Sequence, residues 1–121
     1  MNIEWVRRYC MSLPHATEQI QWGHDLVFKI GGKMFAAGPV DGPWDCCLSF
    51  KASPEEFADL CEREGIIPAP YMARAQWVAL QNWDALSLPD LKRLLRGSYD
   101  MVFAKLPKKT QAELAGKAPK K

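Results

Sequence analysis

A chain of 121 residues, 48% apolar and 25% charged, has material for one hydrophobic core and not for two. No apolar run is long enough to cross a bilayer, and residues 1–5 lack the basic stretch and apolar segment of a signal peptide, so a soluble cytoplasmic protein is expected. The net charge of +2 is uneven: from Lys105 onward six lysines face one acid, Glu113, a balance of +5, while residues 1–104 balance to −3, which excludes a uniformly positive nucleic-acid-binding body.

Asn2 is a helix cap, and Ile3, Val6, Cys10 and Leu13 follow at helical spacing, with Trp5 and Tyr9 widening the apolar face until Pro14 stops it. Residues 16–22 read as a weak strand and 23–25 as a turn. The clearest local signal is 26–30 and 33–37, two β-rich runs joined by Gly31-Gly32, which predicts a two-residue hairpin with positive φ angles. Residues 38–43 form a second turn, and 45–51 the next strand, with Cys46 and Cys47 inside it. Ser53, Pro54 and Glu56 open a helix through a capping box, with Phe57, Leu60 and Cys61 as its buried stripe and Gly65 as its end. Residues 66–70 read as an extended or loop segment and 76–80 as a final strand. Ser87 and Pro89 start a last helix whose stripe, Leu91, Leu94, Leu95, Tyr99, Val102 and Leu106, runs across Gly97 to Pro107. Gly97 is a candidate break that would divide this helix in two. The fold class is therefore α+β: an antiparallel meander of about four strands with helices on one face. One domain spans 1–107, and 108–121 form a Lys-rich flexible tail.

Catalytic chemistry finds little support. His15 and His24 have Glu18 and Asp25 nearby but no third histidine, and loop positions favour solvated rings over a zinc or iron site. The four cysteines are Cys10, Cys46, Cys47 and Cys61; the adjacency of Cys46 and Cys47 suits neither a CxxC motif nor an ordinary disulfide, so free thiols are expected. There is no GxSxG elbow, and Gly31-Gly32-Lys33 has neither the phosphate-loop nor the dinucleotide spacing. Glu55, Glu56, Glu62 and Glu64 belong to a solvated helix face. The chain is read as a non-enzyme without metal or cofactor.

Two binding readings remain. In the first, alternation places Lys29 and Lys51 on the open sheet face with Lys33 at the hairpin tip. Arg74 lies beside Tyr71 and Trp77, and Lys105, Lys108 and Lys109 flank the last helix. These seven cations would hold DNA phosphates, weakly and with strong salt dependence. In the second, Tyr71, Arg74 and Trp77 form an aromatic groove for a small ligand or a protein, to which Trp22, Trp44 and Trp83 contribute. The chain is expected to be a monomer that does not engage membranes.

Several segments in order resemble the MmcQ/YjbR family of small bacterial proteins: Trp22-Gly23, Val27-Phe28-Lys29-Ile30-Gly31-Gly32-Lys33-Met34-Phe35, Leu48-Ser49-Phe50-Lys51, Pro70-Tyr71 with Trp77-Val78, and Ser98-Tyr99-Asp100-Met101-Val102 leading to Lys105-Leu106-Pro107-Lys108-Lys109. The resemblance covers roughly residues 3–110 and implies a frataxin-like (CyaY-like) fold and a "double-wing" DNA-binding motif of β-hairpins. Many family members have His after the Tyr of the Pro-Tyr pair, where this chain has Met72. The acidic first-helix ridge of frataxins is reduced here to Glu4 against Arg7 and Arg8, so iron binding is not implied.

Overall fold

Asn2 is extended, and its side-chain carbonyl accepts the Trp5 N–H at 2.9 Å, closing the first turn of α1 (Ile3–Met11). In this computed structural model the described residues are 2–21, 25–39, 46–69 and 73–115. Val6, Cys10 and Leu13 are buried as their spacing predicts. The chain then enters β1 (Thr17–Gln21), β2 (Asp25–Ile30) and β3 (Lys33–Pro39). Gly31 and Gly32 join β2 to β3 with φ of 60° and 82°, the left-handed geometry a two-residue hairpin of this kind requires. β4 is Leu48–Lys51, shorter than expected. Cys46 and Cys47 precede it instead of lying inside it; Cys47 nonetheless donates its N–H to Leu80 O at 2.8 Å, anchoring the approach to the sheet.

The capping box is present in full. Ser53 Oγ accepts the Glu56 N–H at 3.1 Å, the Glu56 carboxylate accepts the Ser53 N–H at 3.4 Å, and α2 (Pro54–Cys61) follows. This helix ends at Cys61, before Gly65. Residues Ile66–Pro68 form β5, so the segment read as extended or loop is in part a paired strand. A 3-10 turn at Ala73–Ala75 leads into β6 (Trp77–Leu80). Ser87 caps α3 (Leu88–Ala104), which is continuous through Gly97. The segment read as a flexible tail is helical over Lys108–Ala115, forming α4. There Gln111 Nε2 donates to the carbonyls of Ala104 and Leu106 at 3.1 and 2.8 Å, tying α4 to the end of α3.

The six strands make one antiparallel sheet in the order β1-β2-β3-β4-β6-β5. The main core lies between the helices and one sheet face. Phe28, Phe35, Leu48, Phe50, Val78 and Leu80 pack there with Val6 and Cys10 of α1 and Leu91, Leu94, Leu95 and Tyr99 of α3. The other face carries a smaller cluster of Ala69, Trp77 and Ala79, with Met34, Cys46 and Ile67 against it. Burying both faces of the central strands explains why β6 is apolar at all four positions. Among the described residues, no helix is long and apolar enough to cross a membrane.

Candidate functional site

In an antiparallel sheet, chain direction decides which residues share an end. The tip of the β2–β3 hairpin, the last residue of β4 and the first of β6 lie at the same end, because each strand reverses the one before. Lys51 pairs directly with Trp77 across β4 and β6. The 17 residues of α3 span about 25 Å, enough to carry the C-terminus of the helix to the same place. A Cβ on Gly31 would come within 2.5 Å of Leu106 Cδ1, so hairpin and helix end touch.

The meeting point is a hollow of about 360 Å³ lined by Lys33, Met34, Lys51, Trp77, Val102 and Lys105. Met34, Trp77 and Val102 make an apolar floor, and three ammonium groups surround it. Lys51 is half-buried, and its Nζ donates to Ala75 O at 2.7 Å. Burial, and secondarily the charge of Lys105, holds its pKa below the ordinary lysine value. Among the described residues, Lys33, Lys51 and Lys105 form no ion pair.

One residue that sequence reasoning overlooked fixes this geometry. Ser98 is fully buried in α3; its Oγ donates to Phe35 O at 2.6 Å and accepts the Lys51 N–H at 3.0 Å. It thus joins β3, β4 and α3 beside the lysines. A signal was available: Ser98 falls on the apolar stripe, three or four positions from Leu94, Leu95 and Val102.

Not all the expected cations gather here. Lys29 pairs with Met34 across the β2–β3 ladder, but its Nζ donates to Gln19 Oε1 at 3.1 Å and it does not line the hollow. The alternation that places it on the open sheet face holds, since Leu26, Phe28 and Ile30 all enter the main core, but Lys29 sits on β2, two strands away from Lys51 on β4. Arg74 is exposed in the turn that supplies the Ala75 carbonyl. Lys108 and Lys109 are exposed on the first turn of α4, outside the lining. Of the aromatic-groove residues, Trp77 is present on the floor, only 4% exposed. Tyr71, Trp22 and Trp44 lie outside the described residues, and Trp83 packs against the main core instead.

A second hollow, about 350 Å³, lies between α1 and β1 and is lined by Glu4, Arg7, Glu18, Gln19, Ile20 and Leu26. Arg7 donates to both carboxylate oxygens of Glu18 at 2.8 Å each, and this hydrogen bonding holds the Glu18 pKa below the ordinary carboxylate range. Two of the thiols are poor nucleophiles: burial pushes Cys10 up to about 12 and Cys47 up to about 11. Among the described residues no group of three His, Cys, Asp or Glu side chains is placed to hold a metal ion. His24, one of the two histidines weighed for such a site, lies outside them.

The sequence pattern described as YjbR matches residues 11–101. The chain belongs to the YjbR family. Its fold is shared by the crystal structure of a Deinococcus radiodurans protein whose domain is designated DUF419, 29% identical, with a TM-score of 0.83 over 94% of this chain and 88% of that one. A Pseudomonas syringae protein at 19% identity has the same fold, with a TM-score of 0.68 over 84% of this chain and 99% of its own. No curated protein matches. The YjbR match spans Lys29, Lys33, Lys51, Arg74, Trp77 and Ser98, and stops four residues before Lys105.

Proposed function

We propose that this YjbR chain is a non-enzymatic DNA-binding protein that holds backbone phosphates with Lys33, Lys51 and Lys105. One observation supports the reading: three lysines from three separate elements line one hollow, with no carboxylate among the described residues of its lining. Like charges brought together without a partner repel, and a phosphate removes that repulsion on binding. Arg74 follows the same turn as the Ala75 carbonyl, and Lys108 and Lys109 follow Lys105 by three and four positions, so they extend the positive surface outward. The domain before residue 105 balances to −3, which confines the attraction to this end of the sheet and makes binding modest. No metal, cofactor or protein partner is needed for it.

The test is fluorescence anisotropy with a mixed-sequence duplex at low salt. Binding that weakens steeply as salt rises supports the reading. With three phosphate contacts the slope of log K against log salt is about −3. No binding at about 100 µM protein, the weak end of ordinary non-specific affinity, overturns it.

A further inference from the structure

Resting on that reading of the lysine hollow, we propose that its preferred ligand is a terminal phosphomonoester attached to a nucleoside, the 5′-phosphate of a strand end or of a free mononucleotide, over an internal phosphodiester.

Charge gives the first reason. An internal phosphodiester carries one negative charge, whereas a phosphomonoester near neutral pH carries about 1.5 to 2. Three ammonium groups around one opening are better neutralised by the second. Among the described residues the lining contains no acid that would repel a dianion.

Shape gives the second. A duplex presents its internal phosphates on a convex surface, which meets the rim of a concave site and not its interior. Lys51 is the half-buried member of the trio, held inward by the Ala75 carbonyl at 2.7 Å. A projecting terminal phosphate reaches it, while a phosphate within a continuous backbone brings its two neighbours against the walls. The volume of about 360 Å³ falls within the size range of small-ligand pockets.

The floor gives the third. Inorganic phosphate would leave the accessible part of the floor, mostly that of half-buried Met34, wet, but a nucleoside covers it. Because Trp77 is only 4% exposed, it has too little accessible surface for a base to stack on. The base is therefore held by apolar contact without hydrogen-bond readout, and little base preference is expected.

The experiment compares two blunt duplexes of identical sequence, 3′-labelled, one with 5′-phosphate ends and one with 5′-hydroxyl ends, titrated with the full chain at low salt. The expected result is a preference of about tenfold or more for the phosphorylated duplex, lost in Lys51→Met and restored in Lys51→Arg. Equal affinity for both duplexes overturns this inference and leaves DNA binding standing; absence of binding to either overturns both. Competition with adenosine monophosphate and with inorganic phosphate completes the test. A mononucleotide that competes as well as the phosphorylated end identifies free nucleotide as a sufficient ligand. One that competes tenfold less well identifies the strand end. Inorganic phosphate competing as well as the mononucleotide removes any part for the apolar floor and overturns the nucleoside requirement.

Discussion

Two hollows lined by described residues are of nearly equal size, about 360 Å³ at the hairpin end of the sheet and about 350 Å³ between α1 and β1. Both contain charged side chains on an apolar base. In the second, the guanidinium of Arg7 is matched by the Glu18 carboxylate through two hydrogen bonds, and the charges serve the fold. In the first, three cations face one another, and Lys51 spends its ammonium on a backbone carbonyl. Volume and polarity do not separate these two places; charge compensation does. A site whose charges are already matched gains little from a ligand, and one whose charges repel gains a great deal.

Reversing two of the three charges is the sharpest way to break the contrast. The Lys51→Glu/Lys105→Glu double variant should lose at least about a hundredfold in duplex affinity, because two attractions become repulsions. Circular dichroism should show an unchanged fold. The matching change at the other hollow, Arg7→Ala, should leave DNA affinity within about twofold, since Arg7 is remote from the lysines and already paired. A large loss there would mean that the two hollows form one electrostatic surface.

Ser98→Ala comes next. It leaves the buried Phe35 carbonyl and the Lys51 N–H without their partner, and a urea titration should show a loss of about 2 kcal/mol. Because the Lys51 backbone is then untethered, DNA affinity should fall as well under conditions where the protein remains folded.

Smaller effects come from pH. Burial and Lys105 lower the Lys51 pKa, so DNA affinity should begin to fall with rising pH before an ordinary lysine, at 10.5, would lose its proton. The sign for stability is opposite. A lysine whose folded value lies below its unfolded value costs the fold stability at neutral pH, and that cost disappears as pH rises from the folded value to the unfolded one. Denaturation of Lys51→Met should lack this upward trend. Glu18 behaves the other way: its folded value is depressed, so its contribution is present above the ordinary 4.5 and is lost as pH falls through the folded value. Because that pair is largely exposed, Glu18→Gln should flatten the acid limb only slightly.

The two glycines of the hairpin give the finest comparison. Both have positive φ, so alanine strains either. Only at Gly31 does the added Cβ also meet Leu106, at 2.5 Å, whereas Gly32 has open space. Gly31→Ala should therefore lower the melting temperature more than Gly32→Ala, and the difference reports the contact that sets Lys33 against Lys105.

Features decided within a few residues were legible in the sequence. The Asn2 cap, the Ser53–Glu56 capping box and the Gly31-Gly32 hairpin are each settled by side chains three or fewer positions apart. Strand β5 was not legible, because Ile66–Pro68 is three residues long and becomes a strand only by pairing with β6, ten or so positions later. The Lys-rich composition of 108–115 hid α4, although Gln, Ala, Glu and Leu are all good helix formers. For the lysines, alternation identified a face but not a position along the strands. Lys33 and Lys51 line the same hollow, while Lys29, on the same sheet face but two strands from Lys51, bonds to Gln19 instead. Trp77 was anticipated as an aromatic neighbour of the cations; Met34 and Val102, which complete the floor, carry no signal that separates them from core residues.

The strand order has a consequence for how the protein is made. β5 precedes β6 in the chain but lies outside it, so during synthesis β5 waits for a partner that has not yet emerged. Until residues 77–80 leave the ribosome, the edge of β4 stays open, with Leu48 and Phe50 beside unpaired backbone. The nascent chain therefore passes through an adhesive stage that ends only when β6 slots between two waiting strands. Any truncation before Trp77 would strand it there.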